Sequence, residues 1–402
     1  MNYTHDLNAL EKRFGDVFGK GGELRFFDAP GRVNLIGEHI DYCGGRVFPA
    51  ALTLSNTVVC RKNGTRTVRM FATDLGIISE FSLDDIDAAR TLKWGNYQAG
   101  VAAELAKLGC RLEGADMLFD STLPFGSGLS SSASIELVTA LALLSLSGNS
   151  AEMTEKLDRV QLALAGQRAE HNFCGVNCGI MDQFASAMGK ADNAILLDCA
   201  TLDYSYIPLR LGEYSLVLAN TKKKHSLGAS KYNERRKEVE EGLKLMHEAL
   251  PGTEDRKNLC DYSEDDFTAA KRVLDKEPVI RNRTEHVIRE NARVSKAAEA
   301  LRSGDLVKFG TILKKANDSI RYLYEVTGDE LDAMFEEAQY FDYCIGSRMT
   351  GAGFGGCTVN IIPAACADEF CRELGSRYEQ RTGIRPEFYI CSIGDGVREL
   401  TV

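Results

Sequence analysis

The chain has 402 residues, of which 44% are hydrophobic and 26% charged, and a formal net charge of −10. That length exceeds one ordinary core and fits two domains of roughly 200 residues each. An acidic balance opposes non-specific binding to nucleic acid, whose phosphates need a basic face, and no run of about 18 apolar residues is available to span a membrane.

Short strand-like runs dominate the start, at 23–27, 53–61, 67–72 and 79–83. A strong helix follows a serine cluster, with Ile135, Leu137, Val138, Leu141 and Leu144 at helical spacing and Gly148 just beyond. A second helix is expected over 155–171, then buried strands at 194–197 and 215–219. Helices are expected over 230–250, 285–302 and 330–341. A strand at 357–362, a helix at 367–378 and a strand at 387–392 close the pattern. This mixture implies an α+β pair of domains rather than a regular βαβ winding, with a division expected at 204/205, giving an N-terminal domain over 1–204 and a C-terminal domain over 205–402. Residues 1–10 carry Asp6 and no apolar leader segment, so a cytoplasmic location is expected. The twelve cysteines are scattered singly and several lie in apolar runs, so reduced, packed thiols are expected. Cys174 and Cys178 have no second pair to complete a zinc site, and the run Lys222, Lys223, Lys224 is too short to make a basic face.

The most informative segment is LPFGSGLSSSAS, residues 123–134, which runs straight into the strong helix. Gly126 and Gly128 allow close backbone approach, and the amides and hydroxyls of Ser127, Leu129, Ser130, Ser131 and Ser132 lie at a helix start, where anions bind. One serine suffices as an N-cap; three behind two glycines exceed that need. No Walker-type phosphate loop or protein-kinase catalytic loop is present. The string GAGFGG at 351–356 fits a dinucleotide fingerprint on paper, but a β-rich run follows it where a helix is required. It reads as a glycine turn beside a ligand or another backbone.

Residues 31–45, GRVNLIGEHIDYCGG, closely resemble the signature of galactokinases within the GHMP small-molecule kinases. The serine-rich loop resembles that family's second motif and residues 349–357 its third; 178–184 (CGIMDQF) and 225–236 (HSLGASKYNERR) also resemble galactokinase segments. The resemblance implies an N-terminal domain like ribosomal protein S5, a ferredoxin-like C-terminal domain and an active site in the cleft between them. It implies phosphorylation of galactose at C1 by ATP, as in the Leloir pathway, by a monomer that needs Mg²⁺. Glu38, His39, Asp41 and Tyr232 would hold sugar hydroxyls. Asp182 would be the catalytic base or would orient the hydroxyl, with Arg32 beside it. Ser132 and Glu170 would ligate Mg²⁺, the 126–132 loop would hold the phosphates, and Trp94 and Tyr97 would line the adenine pocket.

These residue types suit that chemistry. Carboxylates and an imidazole are left unpaired when an epimer moves a hydroxyl away, which is how polar pockets discriminate sugars. Phosphoryl transfer depends on positioning and on cations that spread developing charge. Mg²⁺ takes oxygen ligands and leaves much of its shell to phosphate and water. Asp182 could equally be a helix N-cap, since DQFASA begins a helix-compatible run. Ile40 and Cys43 stand where the family usually has threonine and asparagine, and residues 316–324 depart from a stretch that usually carries Ser-His and paired aspartates. These departures leave N-acetylgalactosamine or arabinose as alternative sugars, with relaxed preference at C2 or C6. A non-catalytic sugar sensor is the other alternative, although the serine-rich loop is intact.

Overall fold

The structure, a computed structural model, describes residues 5–124, 126–149, 157–223 and 228–401, with side chains for all of these but 228–230. Its first half comprises α1 (Leu7–Phe18), β1 (Arg25–Asn34), β2 (Arg46–Val47), β3 (Pro49–Lys62), β4 (Thr67–Ala72), β5 (Ile77–Ser82), α2 (Asn96–Lys107), β6 (Ala115–Ser121), α3 (Ser131–Leu146), α4 (Arg159–Ala169), α5 (Met181–Met188), β7 (Asn193–Asp198) and β8 (Tyr204–Pro208). The second half comprises β9 (Tyr214–Asn220), α6 (Gly228–Ala249), α7 (Glu264–Leu274), α8 (Pro278–Arg302), α9 (Leu306–Ser319), α10 (Asp329–Ala338), β10 (Gly346–Thr350), β11 (Cys357–Pro363), α11 (Ala367–Thr382), β12 (Glu387–Cys391) and β13 (Arg398–Leu400).

Six strands form one sheet in the order β13-β1-β3-β6-β4-β5, in which β4 and β6 pair in parallel. Leu10 and Phe14 of α1 pack on one face against Phe26, Val59, Phe71 and Leu118, while α3 and α5 cover the other. A second, antiparallel sheet, β10-β11-β9-β12, packs α9 against β10 and buries Met334, Phe370, Leu374 and Tyr378 of α10 and α11 against Val217 and Ala219. Strands β2, β7 and β8 form a third, small sheet. One apolar core runs from Phe27 and Val58 through Leu218 and Val287 to Met349, so the two sheets share a continuous interior where their ends meet.

This is the expected α+β class. Strand β4 coincides with its expected bounds, and β1 and β3 extend well beyond theirs. Strand β8 runs through the expected division at 204/205, and β13 returns from the far end of the chain to pair with β1. Expected helix residues 155 and 156 and the family-like residues 225–227 lie outside the described residues, as does Lys224. All twelve cysteines are free, and no group among the described residues could hold zinc.

Candidate active site

β1 is buried along nearly its whole length, and its register against β3 shifts between Pro30 and Arg32. A bulge is where a sheet tolerates proline and re-aims the next side chain. Gly31 lies so close to the loop before α3 that a Cβ there would sit 2.6 Å from the Leu129 carbonyl. The Arg32 amide donates to that same carbonyl at 3.1 Å. The bulge therefore ties the central strand to the glycine-serine loop and turns Arg32 toward α5.

Arg32 grips Asp182 with two bonds, Nε to Oδ1 at 2.9 Å and Nη2 to Oδ2 at 2.8 Å, and its Nη1 donates to the Gly128 carbonyl at 2.6 Å. Ser130 Oγ donates to Asp182 Oδ2 at 2.6 Å. Ser130 occupies the N-cap position of α3 in a left-handed conformation, φ 61°, yet caps no amide with its side chain. Its hydroxyl serves Asp182 instead. Asp182 is likewise not a cap: Ile180 is, and Asp182 stands in the first turn of α5, where a carboxylate also complements the helix dipole.

Gly126 and Gly128 both adopt positive φ, which gives the loop its tight path across the mouth of α3. The glycine segment 351–356 lies beside another backbone: a Cβ on Gly351 would come within 2.6 Å of the Gly128 carbonyl, and one on Gly356 within 2.9 Å of the Ser127 carbonyl. The turn between β10 and β11 thus braces the loop before α3.

These parts surround a cavity of about 330 Å³ lined by Arg32, Glu38, His39, Asp41, Gly126, Gly128, Ser132, Glu170, Asp182, Tyr232 and the backbone of 351–353, among others. Glu38 accepts from the Gly351 amide at 3.3 Å, and burial raises its carboxyl to about 7. Burial, with Asp182 nearby, raises Asp41 to about 6. His39 has both ring nitrogens engaged, Nδ1 with Tyr42 Oη at 2.8 Å and Nε2 with the Ala352 carbonyl at 3.0 Å. Burial lowers it to about 4, so the ring is neutral, Nε2–H donates to the carbonyl and Nδ1 accepts from Tyr42. His39 also sits at φ 63°, a strained setting for a non-glycine residue. Its ring packs between those of Tyr232 and Tyr324, at 5.4 and 4.9 Å. His39 therefore shapes the wall and offers no free ring nitrogen to a ligand.

Glu170 closes α4 and begins a wide π turn, Glu170–Cys174. Such turns recur at functional sites because they displace one side chain from its helical row. Glu170 is buried and hydrogen-bonded to Ser132. Beside it lies the buried Glu136, and Gln183 Nε2 donates to both carboxyls, at 3.0 Å to Glu136 and 3.3 Å to Glu170. Burial, and then repulsion from the Glu170 carboxylate, push Glu136 far up. Trp94 and Tyr97, at the start of α2, do not line this cavity. Trp94 packs edge-on against Phe119, and the Tyr97 hydroxyl is raised by burial and next by the charge of Glu170.

The chain matches the galactokinase galactose-binding signature over residues 12–62, the GHMP kinase N-terminal domain over 96–190 and the GHMP kinase C-terminal domain over 297–380. A galactokinase of Clostridium tetani is 43% identical over 396 residues, 98% of each chain. One of Clostridium acetobutylicum is 44% identical, covering 98% of this chain and 99% of its own. The chain belongs to the galactokinase family. The crystal structure of Lactococcus lactis galactokinase complexed with galactose matches with a TM-score of 0.91 at 38% identity, covering 98% of this chain and 100% of that one. Methanococcus jannaschii mevalonate kinase, at 18% identity and a TM-score of 0.67, shares the fold alone.

For a galactokinase-family chain the two departures in the first motif are placed informatively. Ile40 and Cys43 are buried and neither lines the cavity; Cys43 Sγ turns to the His39 carbonyl at 3.8 Å. In the departing 316–324 stretch, Tyr324 reaches the site, its hydroxyl donating to Tyr42 Oη at 2.8 Å and its ring backing His39. Sequence reading missed Tyr42, Glu136, Gln183, Tyr324 and Arg348. Of these Arg348 carried only the signal of its place, directly before the family-like segment 349–357.

Proposed function

We propose that the chain transfers the terminal phosphoryl group of ATP to the C1 hydroxyl of galactose, giving galactose 1-phosphate and ADP. The observation that carries this reading is the two-pronged Arg32–Asp182 contact, bonded on one side to Ser130 and on the other to the Gly128 carbonyl, at the mouth of α3. It brings an acceptor for a sugar proton, a fixed cation and an anion-binding helix start to one wall of a single cavity.

In this reading Asp182 accepts the C1 proton or orients that hydroxyl, and Arg32 holds the carboxylate in place while facing the developing charge. Glu38, Asp41 and Tyr232 bind sugar hydroxyls, and residues 126–132 cradle the phosphates. His39 keeps the wall in shape and buttresses Tyr232. The oxygen-only pair of Ser132 and Glu170 suits Mg²⁺, and the buried Glu136 Oε1 beside it has no hydrogen-bond partner among the described residues. Bound there with ATP, Mg²⁺ would neutralise charge on the phosphates. No described helix is long and apolar enough to cross a membrane. Incubation with Mg-ATP and galactose, followed by ³¹P NMR, tests the reading: galactose 1-phosphate and ADP are expected, and nucleotide binding without any sugar phosphate would refute it in favour of a sensor.

A further inference from the structure

Behind Glu38, away from the cavity, lies a row of charges, buried except for the half-buried Arg293 at its end. Arg348 of β10 is fully buried; its Nη1 donates to the Leu35 carbonyl at 2.9 Å and pairs closely with the Glu38 carboxylate. Its Nη2 stands 3.8 Å from Glu290 Oε1 on α8. Glu290, equally buried, accepts from the Gly37 amide at 3.0 Å and from Arg293 Nε at 2.7 Å. Arg293 Nη2 continues to Ser319 Oγ at 2.7 Å, and His286 touches both Ser319 Oγ, at 3.0 Å, and the Glu38 carbonyl, at 3.3 Å. The signs alternate along Glu38, Arg348, Glu290 and Arg293.

Such a row is a poor means of stabilisation, because the desolvation of four charges absorbs most of their attraction. Arg348 is also left with no hydrogen-bond partner at Nε or Nη2 among the described residues, and it acts on Glu38 by its charge first and by the close Nη1 contact second. The groups facing Glu38 are Arg348 from β10, Glu290 and His286 from α8, Arg32 from β1 and the adjacent His39. Burial keeps both histidines neutral, so the two arginines act against one glutamate.

We propose that Arg348 and Glu290 are positioning residues through which the C-terminal domain sets the charge and aim of Glu38. Arg348 favours the ionised carboxylate that accepts a sugar hydroxyl, and Glu290 opposes it while anchoring Gly37. This rests on the reading that Glu38 binds the sugar. Its signature is a pair of shifts of opposite sign, which a merely structural role would not produce.

The test is kcat/KM for galactose and for ATP across pH 5.5–9 in the wild-type chain and in Glu290→Gln, Arg348→Lys and Arg348→Met. Glu290→Gln should move the acid limb of the galactose profile down by about half a pH unit or more, and Arg348→Met should move it up by about one unit. Arg348→Lys should fall between the wild type and Arg348→Met, and KM for ATP should stay within about threefold throughout. Equal loss at every pH, or parallel loss toward both substrates, would overturn the proposal. Should Arg348→Met fail to fold, Glu290→Gln decides alone: a downward shift supports the proposal, and no shift or an upward one overturns it. A wild-type chain without galactose turnover would instead remove the functional reading, and this inference with it.

Discussion

Replacing Asp182 by asparagine keeps the shape of the side chain and removes its charge. Asp182 accepts three hydrogen bonds, two from Arg32 and one from Ser130, all between 2.6 and 2.9 Å. The amide oxygen of Asp182→Asn can keep one guanidinium bond, while its NH₂ must face the other N–H, and Arg32, only 3% exposed, loses its counter-charge. Breaking a fully buried pair costs about 3–5 kcal/mol. Here the Asp182 side chain is 31% exposed, so water compensates in part, and a loss of about 2 kcal/mol of stability is the better figure. Turnover should suffer more: removing a positioned proton acceptor lowers kcat by roughly 10²–10⁴, about 3–5 kcal/mol in the barrier. The assay is ³¹P NMR of product formation alongside calorimetric titration with ATP. Loss of turnover with ATP affinity within about fivefold of wild type is expected. A kcat within tenfold of wild type would refute the role given to Asp182. Loss of ATP binding in step with activity would show instead that the pair mainly shapes the phosphate loop through Gly128.

Gly351→Ala places a methyl group 2.6 Å from the Gly128 carbonyl at φ 89°, so ATP affinity should fall by tenfold or more with little change in galactose binding, as read by calorimetry. Ile40→Thr and Cys43→Asn, which restore the usual family residues at buried positions off the cavity, should leave the ranking of galactose, 2-amino, 2-acetamido and pentose substrates unchanged; a reordered panel would contradict that placement. Burial holds His286 at about 3 against an ordinary 6.5, so between those values the unfolded chain binds a proton that the folded chain refuses, and stability falls as the pH drops below 6.5. Thermal melts from pH 7 to 5 should lose of order 1 kcal/mol per pH unit to this group, and His286→Asn should flatten that slope, whatever its effect on the absolute Tm. Glu38, raised to about 7, acts with the opposite sign between 4.5 and 7, so the difference between variant and wild type is the readable quantity.

The sequence was most legible where one periodicity ruled. α3 begins at Ser131, where its serine cluster indicated, and β4 opens with the alternation Thr67, Val68, Arg69, Met70 before its buried end. α2 escaped notice because it buries Gln98, Ala99, Gly100, Val101, Ala102, Glu104 and Leu105, leaving no polar stripe to betray a helix. β6 hides because Asp116 lies fully buried within it, held by Arg61 and Arg69. Arg32 and Asp182, 150 positions apart, came into view through motif resemblance and not through spacing. The residues that support the site, Glu136, Glu290 and Arg348, are charged groups at apolar positions. A pattern reading treats such positions as noise until their partners from other elements are known.

Strand β13 has a consequence for how the molecule is made. Its Glu399 clasps Arg25 at the margin of the first sheet across 374 positions, and Phe26, Phe27 and Asp28 zip onto Leu400, Glu399 and Arg398. A ribosome delivers β1 long before β13, so this margin stays open through most of translation, with unpaired amides and carbonyls beside the strand that carries Arg32. Competence for catalysis therefore arrives late, in a final act of closure, and nascent chains halted anywhere short of that segment would expose a sticky edge to chaperones or to one another.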